Sequence, residues 1–272
     1  MKSRHIRMTI ETFHRMEWEL GWKYEYWNGC AHISPREAAM SCVLEVGPRT
    51  WPGGPTEPEA VPPNDRDALI RAYLAAFEDS VDYCDWPAAK IREHAEANID
   101  GFFAGRRGPA LRASRLIRGR GDDDGCLLGA LLVVETGPRR ALLDLLFVVQ
   151  GRQRQGLASA LAGSALAELD RMGFQTLESR YLLANQASRA WHHRFGFVDQ
   201  PDAMSARALL VDARHRLERQ RVQGAVDRVG LSRLESEVAR WETEVERLDA
   251  EQARLWEDRR SGWANGGSCQ PS

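Results

Sequence analysis

The chain has 272 residues, with 37 Lys and Arg against 39 Asp and Glu, so its formal net charge is -2. That balance argues against wholesale nucleic-acid binding, and no apolar run approaches the roughly 18 residues that cross a bilayer. The start, Met1-Lys2-Ser3-Arg4-His5, lacks a secretory apolar stretch, and the five Cys (30, 42, 84, 126 and 269) show no Cys-x-x-Cys pairing. This is the usage of a reducing cytosol, without a disulfide scaffold or a metal site.

Residues 9–20 read as a short helix, with Thr9 as N-cap and Gly21 as stop. Trp22, Tyr24 and Tyr26 alternate with Lys23, Glu25 and Trp27. Asn28-Gly29 then separates them from Cys30 to Ser34, a β-hairpin signal. Ser41 to Val46 reads as a strand, and the Pro-rich 47–64 segment with its Gly-Gly pair reads as a loop. Asp65 caps a helix through Phe77, whose buried side is Leu69, Ile70, Tyr73, Leu74 and Phe77. A second helix spans 87–104. Leu111 to Arg118 and Cys126 to Glu135 form two strands around the acidic turn 121–125, which reads as solvated turn chemistry. Leu142 to Val149 is the next strand, Arg154 to Met172 a long helix, Gln175 to Leu183 a strand, and Asn185 to Phe195 a helix ending at Gly196.

Everything from Asp202 to about 260 reads as helical, before a Gly/Ser-rich tail over 261–272 that is expected to be disordered. Arg207, Arg214, Arg216, Arg219 and Arg221 make residues 205–222 basic, over an apolar stripe of Leu209, Leu210, Ala213 and Leu217. Beyond Gly224 and Gly230 a heptad places Leu231, Leu234, Val238, Trp241, Val245, Leu248, Gln252 and Leu255 at a and d. Its e and g positions are almost all acidic, so charge disfavours self-pairing and favours a basic partner. The sequence therefore predicts an antiparallel hairpin of 203–222, about 30 Å long, with 231–258, about 42 Å long. The longer helix would overhang, leaving an oligomeric or protein partner open.

The most informative stretch is Ala141 to Ala158. An apolar strand ends at Gln150-Gly151-Arg152-Gln153-Arg154-Gln155-Gly156, and Leu157, Leu161, Ala165, Leu169 and Met172 follow at helical spacing. Loop amides and a helix N-terminus make an anion cradle suited to a phosphate-bearing ligand. Gln153-Arg154-Gln155-Gly156-Leu157-Ala158 fits Gln/Arg-x-x-Gly-x-Gly/Ala. With Asn185, Ala187, Ala190 and Phe195-Gly196-Phe197 further on, it resembles the GNAT superfamily of acyl-CoA-dependent N-acyltransferases. Gln150 stands where that family often has Pro.

The resemblance implies a mixed α/β fold with a mostly antiparallel twisted sheet between helices. Its bounds would be an N-terminal extension over 1–40, an acyltransferase domain over 41–201 and a helical hairpin over 202–260. It implies acetyl-CoA as acyl donor and a small-molecule or peptide amine as acceptor. Phe147, Val148 and Val149 would pair with the pantetheine arm, and the amides of Arg154, Gln155, Gly156, Leu157 and Ala158 would hold the pyrophosphate. Arg152, Gln153 and Arg154 lie at its edge, where Arg152 and Arg154 are equally suited to a solvated face. Asn185 would meet the thioester end. Asp144, the one charged group within its strand, is the candidate base, since burial strengthens a carboxylate as a base. A solvated edge Asp is the other reading, and Glu135 is the rival base. Where relatives carry a Tyr acid this chain has His192, which can donate a proton near neutral pH or lie on the helix surface. A non-catalytic acyl-CoA-binding module is the alternative function.

Overall fold

The computed structural model describes residues 1–48, 56–119, 125–223 and 228–265. The acidic turn and the end of the Gly/Ser-rich tail, 266–272, lie outside them, as does the Gly-Gly pair. Two sheets form. The smaller has the order β1 (Arg4–Arg7), β3 (Cys30–Pro35), β2 (Trp22–Trp27), all antiparallel. Asn28 and Gly29 both take positive φ, 53° and 70°, the turn that an Asn-Gly hairpin demands. β1 is exposed along its length, so no alternating pattern marks it in the sequence. Helix α1 (Ile10–Arg15) starts at Thr9, whose hydroxyl accepts from the Thr12 amide, and stops at Met16, well before Gly21.

The larger sheet carries β4 (Ala39–Glu45), β5 (Glu59–Ala60), β6 (Arg115–Arg118), β7 (Leu127–Gly137), β8 (Arg140–Val148), β9 (Thr176–Leu182) and β10 (Val198–Gln200). Their order is β10-β4-β9-β8-β7-β6-β5, and among these pairs only β8 with β9 is parallel. Helices α2 (Arg66–Phe77) and α3 (Ala88–Phe103) cover one face, burying Leu69, Tyr73, Ile99 and Phe102 against Leu132, Val134 and Phe147. Helix α4 (Leu157–Arg171) covers the other, with Leu161, Ala165 and Leu169 against Leu131, Val133 and Leu143. Helix α5 (Gln186–Phe195) follows β9 and ends at Gly196, φ 101°. This is the mixed, mostly antiparallel sheet that the sequence predicts. One detail differs: Asp65 precedes α2 without capping it, because its carboxylate is held by Arg118 from β6.

Helices α6 (Ala203–Gln223) and α7 (Arg228–Asn265) form the antiparallel hairpin. Arg207 pairs with Asp249 at 2.6 Å, Arg214 with Glu242 at 2.7 Å and Arg221 with Glu235 at 2.9 Å, so the partner number falls as α6 advances. The acid of α7 is thus answered within the chain. Leu210, Ala213 and Leu217 bury against Val238, and Trp241 reaches both this seam and the main core. Apolar burial supplies the stability, since each exposed ion pair adds only about 0.2–1 kcal/mol. Helix α7 runs through 261–265, which composition assigns to the tail. A chain cut after Gln223 uncovers the α6 stripe and is expected to aggregate in light scattering; a monodisperse monomer would contradict that packing.

The N-terminal segment is seated on the rest of the molecule through aromatic contacts. Trp18 stacks between Tyr24 (4.9 Å) and His215 of α6 (3.6 Å), and the Gln186 side chain donates to the Leu20 carbonyl at 3.1 Å. Gly21, φ 83°, lies against the backbone of Leu183 and Ala184, where a Cβ would stand 2.2 Å from the Ala184 nitrogen.

Candidate active site

The site begins with a gap in the sheet. β8 pairs with β9 only through Arg140, Ala141 and Leu142, whereas β9 stays paired with β4 as far as Leu182. From Leu143 onward the β8 edge carries no ladder to β9 among the described residues, so the strands part toward their C-terminal ends. Open α/β sheets bind ligands at that end. The β8 edge there comprises Phe147 and Val148, with Val149 just beyond, and an unpaired strand edge can accept an extended, amide-bearing arm.

A bulge shapes the same strand. Leu132 faces Leu145 and Val133 faces Leu143, which leaves Asp144 as the extra residue. Leu143, Leu146 and Val148 point to the α4 core, while Leu142, Leu145, Phe147 and Val149 point to the α2/α3 core. The phase of the strand therefore flips at Asp144, and bulges of this kind re-aim side chains beside functional sites.

The loop after β8 is a short 3-10 turn, Gln150–Arg152, followed by Arg154 at φ 61° and Gly156 at φ 83°. A left-handed non-glycine residue costs about 1–3 kcal/mol, a strain that clusters at ligand clamps. Gln153 ties the loop back by donating to the Val148 carbonyl at 3.2 Å. Gly156 caps α4 with no side-chain bond, so the first-turn amides of Leu157, Ala158 and Ser159 have no intrahelical acceptor. A Cβ built on Gly156 meets nothing within 4 Å. Open space, uncapped amides and the positive end of α4 fit a pyrophosphate. Gln153, Arg154, Gln155 and Gly156 are exposed there, and Arg152 is half-buried.

The candidate acid–base groups are placed differently from one another. The Asp144 carboxylate is 4% exposed and is gripped by Arg107, Nε to Oδ1 at 2.5 Å and Nη2 to Oδ2 at 2.7 Å. It is thus neither a lone buried carboxylate nor a solvated edge group. Glu135 is half-buried near the far end of β7, opposite Ala141, and its amide donates to the Pro109 carbonyl at 2.9 Å. His192 is only 3% exposed and packs between β9 and α5. Its Nδ1–H donates to the Ser188 carbonyl at 2.8 Å and its Nε2 accepts from the Ser179 hydroxyl at 2.9 Å, an assignment set by that network. Both nitrogens are occupied, so the helix-surface reading does not describe it. Asn185 caps α5, its Oδ1 accepting from the Ser188 amide at 3.0 Å while its Nδ2 donates to Asp82 at 2.8 Å.

Burial lowers the His192 pKa, against the pull of the Ser188 carbonyl. Its folded value lies below its unfolded one, so the folded state binds fewer protons. The stability it gives is present above the unfolded value, roughly pH 6.5, and is lost as pH falls from there toward the folded pKa. His192→Phe is expected to lower stability at neutral pH yet shrink the loss of melting temperature between about pH 7 and about pH 5. An unchanged acid slope would contradict the buried, neutral assignment.

Sequence reasoning missed the segment that bridges the gap. After α2 the chain makes a 3-10 turn, Val81–Tyr83. Val81 packs with Leu182 and Ala184 on the β9 side, Asp82 receives Asn185, and Tyr83 joins the cluster holding Phe147 on the β8 side. Neither the turn Val81–Tyr83 nor the pairing of Arg107 with Asp144 has a local signal in the sequence.

At this end of the sheet an open strand edge thus leads onto an uncapped, glycine-led helix. Residues 73–197 match the family model described as the acetyltransferase (GNAT) family, and the domain that contains them belongs to the GNAT superfamily. Among solved structures, the chain is similar to a GCN5-related N-acetyltransferase from Sphaerobacter thermophilus, at 16% identity and TM-score 0.41, covering 60% of this chain and 48% of that one. This chain thus spans about half the length of that protein. It is also similar to PaiA N-acetyltransferase from Thermoplasma acidophilum in complex with coenzyme A, at 14% identity and TM-score 0.43, covering 54% and 93%. A third is the ribosomal-protein-S18-alanine N-acetyltransferase from Escherichia coli, at 20% identity and TM-score 0.40, covering 54% and 79%. The search of curated proteins returned no match. No helix among the described residues is long and apolar enough to cross a membrane, and none of their side chains cluster as a metal site.

Proposed function

We propose that this protein is an N-acetyltransferase that takes acetyl-CoA as donor and a primary amine, small molecule or peptide, as acceptor, in a reducing cytosol. The observation that carries the reading is the parting of β8 from β9 directly onto the uncapped α4 N-terminus. The bound donor would supply an activated acetyl thioester. Phe147 to Val149 would hold its amide-bearing arm by strand pairing. The amides of residues 154–158 would hold its pyrophosphate, with Gly156 allowing close approach. Asn185 would stand at the thioester end. Transfer would be direct, since no Cys is placed among these residues. Asp144, at the bulge, would take up proton from the amine side only in so far as its pair with Arg107 yields.

The engagement of both Asp144 and His192 favours a second reading, a non-catalytic acyl-CoA-binding module. A panel of amines with thiol-release detection separates the two. Thiol release that depends on an added amine supports transfer. CoA binding with no release across small amines, peptide N-termini and protein Lys supports the module, and no CoA binding refutes both.

A further inference from the structure

The two halves of the sheet are covered unequally. On one face, α2 and α3 pack against Leu132, Val134, Leu142, Leu145 and Phe147 of β7 and β8. The register carries that face onto β9. Leu142 stands opposite Glu178, so Glu178, Arg180 and Leu182 look toward the α2/α3 side, while Leu177 and Tyr181 enter the α4 core. The same face runs on across β4 and β10, through Ser41 and Gln200 level with Arg180, and through Val43 and Val198 level with Glu178. None of these four joins a buried cluster, Arg180 and Gln200 are exposed, and Val198 is 65% exposed. Beyond β8, therefore, this face of the sheet is an open floor.

The floor begins at the gap. Glu178 belongs to the last rung between β8 and β9, and Arg180 is the next side chain on this face past that rung. Leu182 follows and packs with Val81, on the turn that carries Asp82. The acids around Arg180 are already engaged. Glu178 accepts from Arg140 Nε at 3.0 Å, and Asp202, within electrostatic reach of Arg180, accepts from the Ser205 amide at 2.8 Å. Arg180 itself makes no hydrogen bond and no ion pair among the described residues. Its guanidinium is a planar fork of donors matched to an oxyanion, and none of the acids nearby supplies one.

We infer that this floor is the acceptor site and that Arg180 selects an amine that also carries an anionic oxygen group, a carboxylate or a phosphate. The inference rests on the acyl-transfer reading and narrows its acceptor. A donor lying along the β8 edge, with its pyrophosphate at α4, places its thioester on the far side of Phe147 from the cradle, in the gap. The α4 face is filled by core there, and α2 and α3 roof β7 and β8. An amine thus reaches the thioester over β9, and Arg180 is the first cation on that approach. Asp82, beyond Leu182, supplies the opposite charge. An acceptor with an ammonium and an anion is complemented at both ends, whereas a simple alkylamine leaves Arg180 unmatched.

The test compares acceptors that differ in the anion: β-alanine with β-alaninamide, and O-phosphoethanolamine with ethanolamine, by thiol release from acetyl-CoA on the full chain. The readout is the ratio of kcat/KM, anionic over neutral, in the parent, Arg180→Gln and Arg180→Lys. Arg180→Gln is expected to lower that ratio about 20-fold, chiefly through KM, the size of one charge-assisted pair. Arg180→Lys keeps the charge without the fork and should retain part of it. The pair with the larger change identifies carboxylate or phosphate as the group held. Arg180 is exposed, so the melting temperature of Arg180→Gln should equal the parent's, as should its CoA affinity. A fall in CoA affinity would place Arg180 on the donor and overturn the inference. Parent ratios in Arg180→Gln, with amine-dependent release intact, also overturn it and leave the acyl-transfer reading standing. No release by the parent with any amine or peptide overturns that reading, and this inference with it.

Discussion

Gly156→Asp is expected to weaken CoA binding by 100-fold or more while leaving the ligand-free protein as stable as the parent. Both halves follow from one place in the structure. Gly156 has φ 83°, leads α4 without a side-chain cap, and has no atom within 4 Å of where a Cβ would stand. Asp tolerates the left-handed region better than most residues, at a cost of about 1 kcal/mol. Its carboxylate would then lie beside the bare amides of the first helical turn, an interaction of about 0.5–2 kcal/mol that offsets the strain. The same carboxylate occupies the position a pyrophosphate needs and repels it by several kcal/mol at short range and intermediate dielectric. Calorimetry of CoA binding and thermal unfolding without ligand read the two halves separately. Gly156→Asn, similar in shape but neutral, should lose less. Parent affinity in Gly156→Asp would mean that the anion is held elsewhere.

The second large effect lies at Gly21. Gly21→Ala should lower stability by about 2–4 kcal/mol and release the N-terminal sheet from the domain. The added Cβ would stand 2.2 Å from the Ala184 nitrogen and 2.3 Å from the Leu183 carbonyl carbon, on a backbone with φ +83°. Neither neighbour is a flexible side chain, so main chain must move. Ala184 immediately precedes Asn185, whose amide holds Asp82, so the displacement reaches the turn across the gap. Limited proteolysis between residues 8 and 20, with the melting temperature, measures the effect. An unchanged melting temperature and unchanged cleavage would show that the two segments are not pressed together.

The larger elements were legible because their signals are local. The Asn28-Gly29 turn, the apolar stripe of α4 and the a/d pattern of α7 each lie within a few turns of chain, and each forms where its spacing indicates. The opposed charges of α6 and α7 also fixed their antiparallel pairing, because attraction between the helices needs only the two patterns. What stayed hidden depends on contacts between distant residues. β1 and β5 are short and exposed, held by a neighbour's ladder, so no alternation marks them. The bulge at Asp144 shows only as a flip in which core each neighbouring side chain enters. Arg107 reads as one of many arginines until α3 places it against a strand 37 positions away. His192 stands where relatives carry a Tyr acid, and that position is silent on its burial between Ser179 and Ser188.

The register of the hairpin has a mechanical consequence. Arg207, close to the start of α6, meets Asp249, so the last turns of α7 extend past the end of their supporting helix. From about residue 254 to Asn265 that is about 18 Å of helix at 1.5 Å per residue, and Leu255 and Trp256 are 55% and 58% exposed at its root. That span reaches past the clamp of Arg207 on Asp249 as a lever. Its tip sweeps about 3 Å for each 10° of tilt at the clamp, by the same helical rise. A load on that tip is carried to Trp241, the residue that joins the hairpin seam to the core of the sheet.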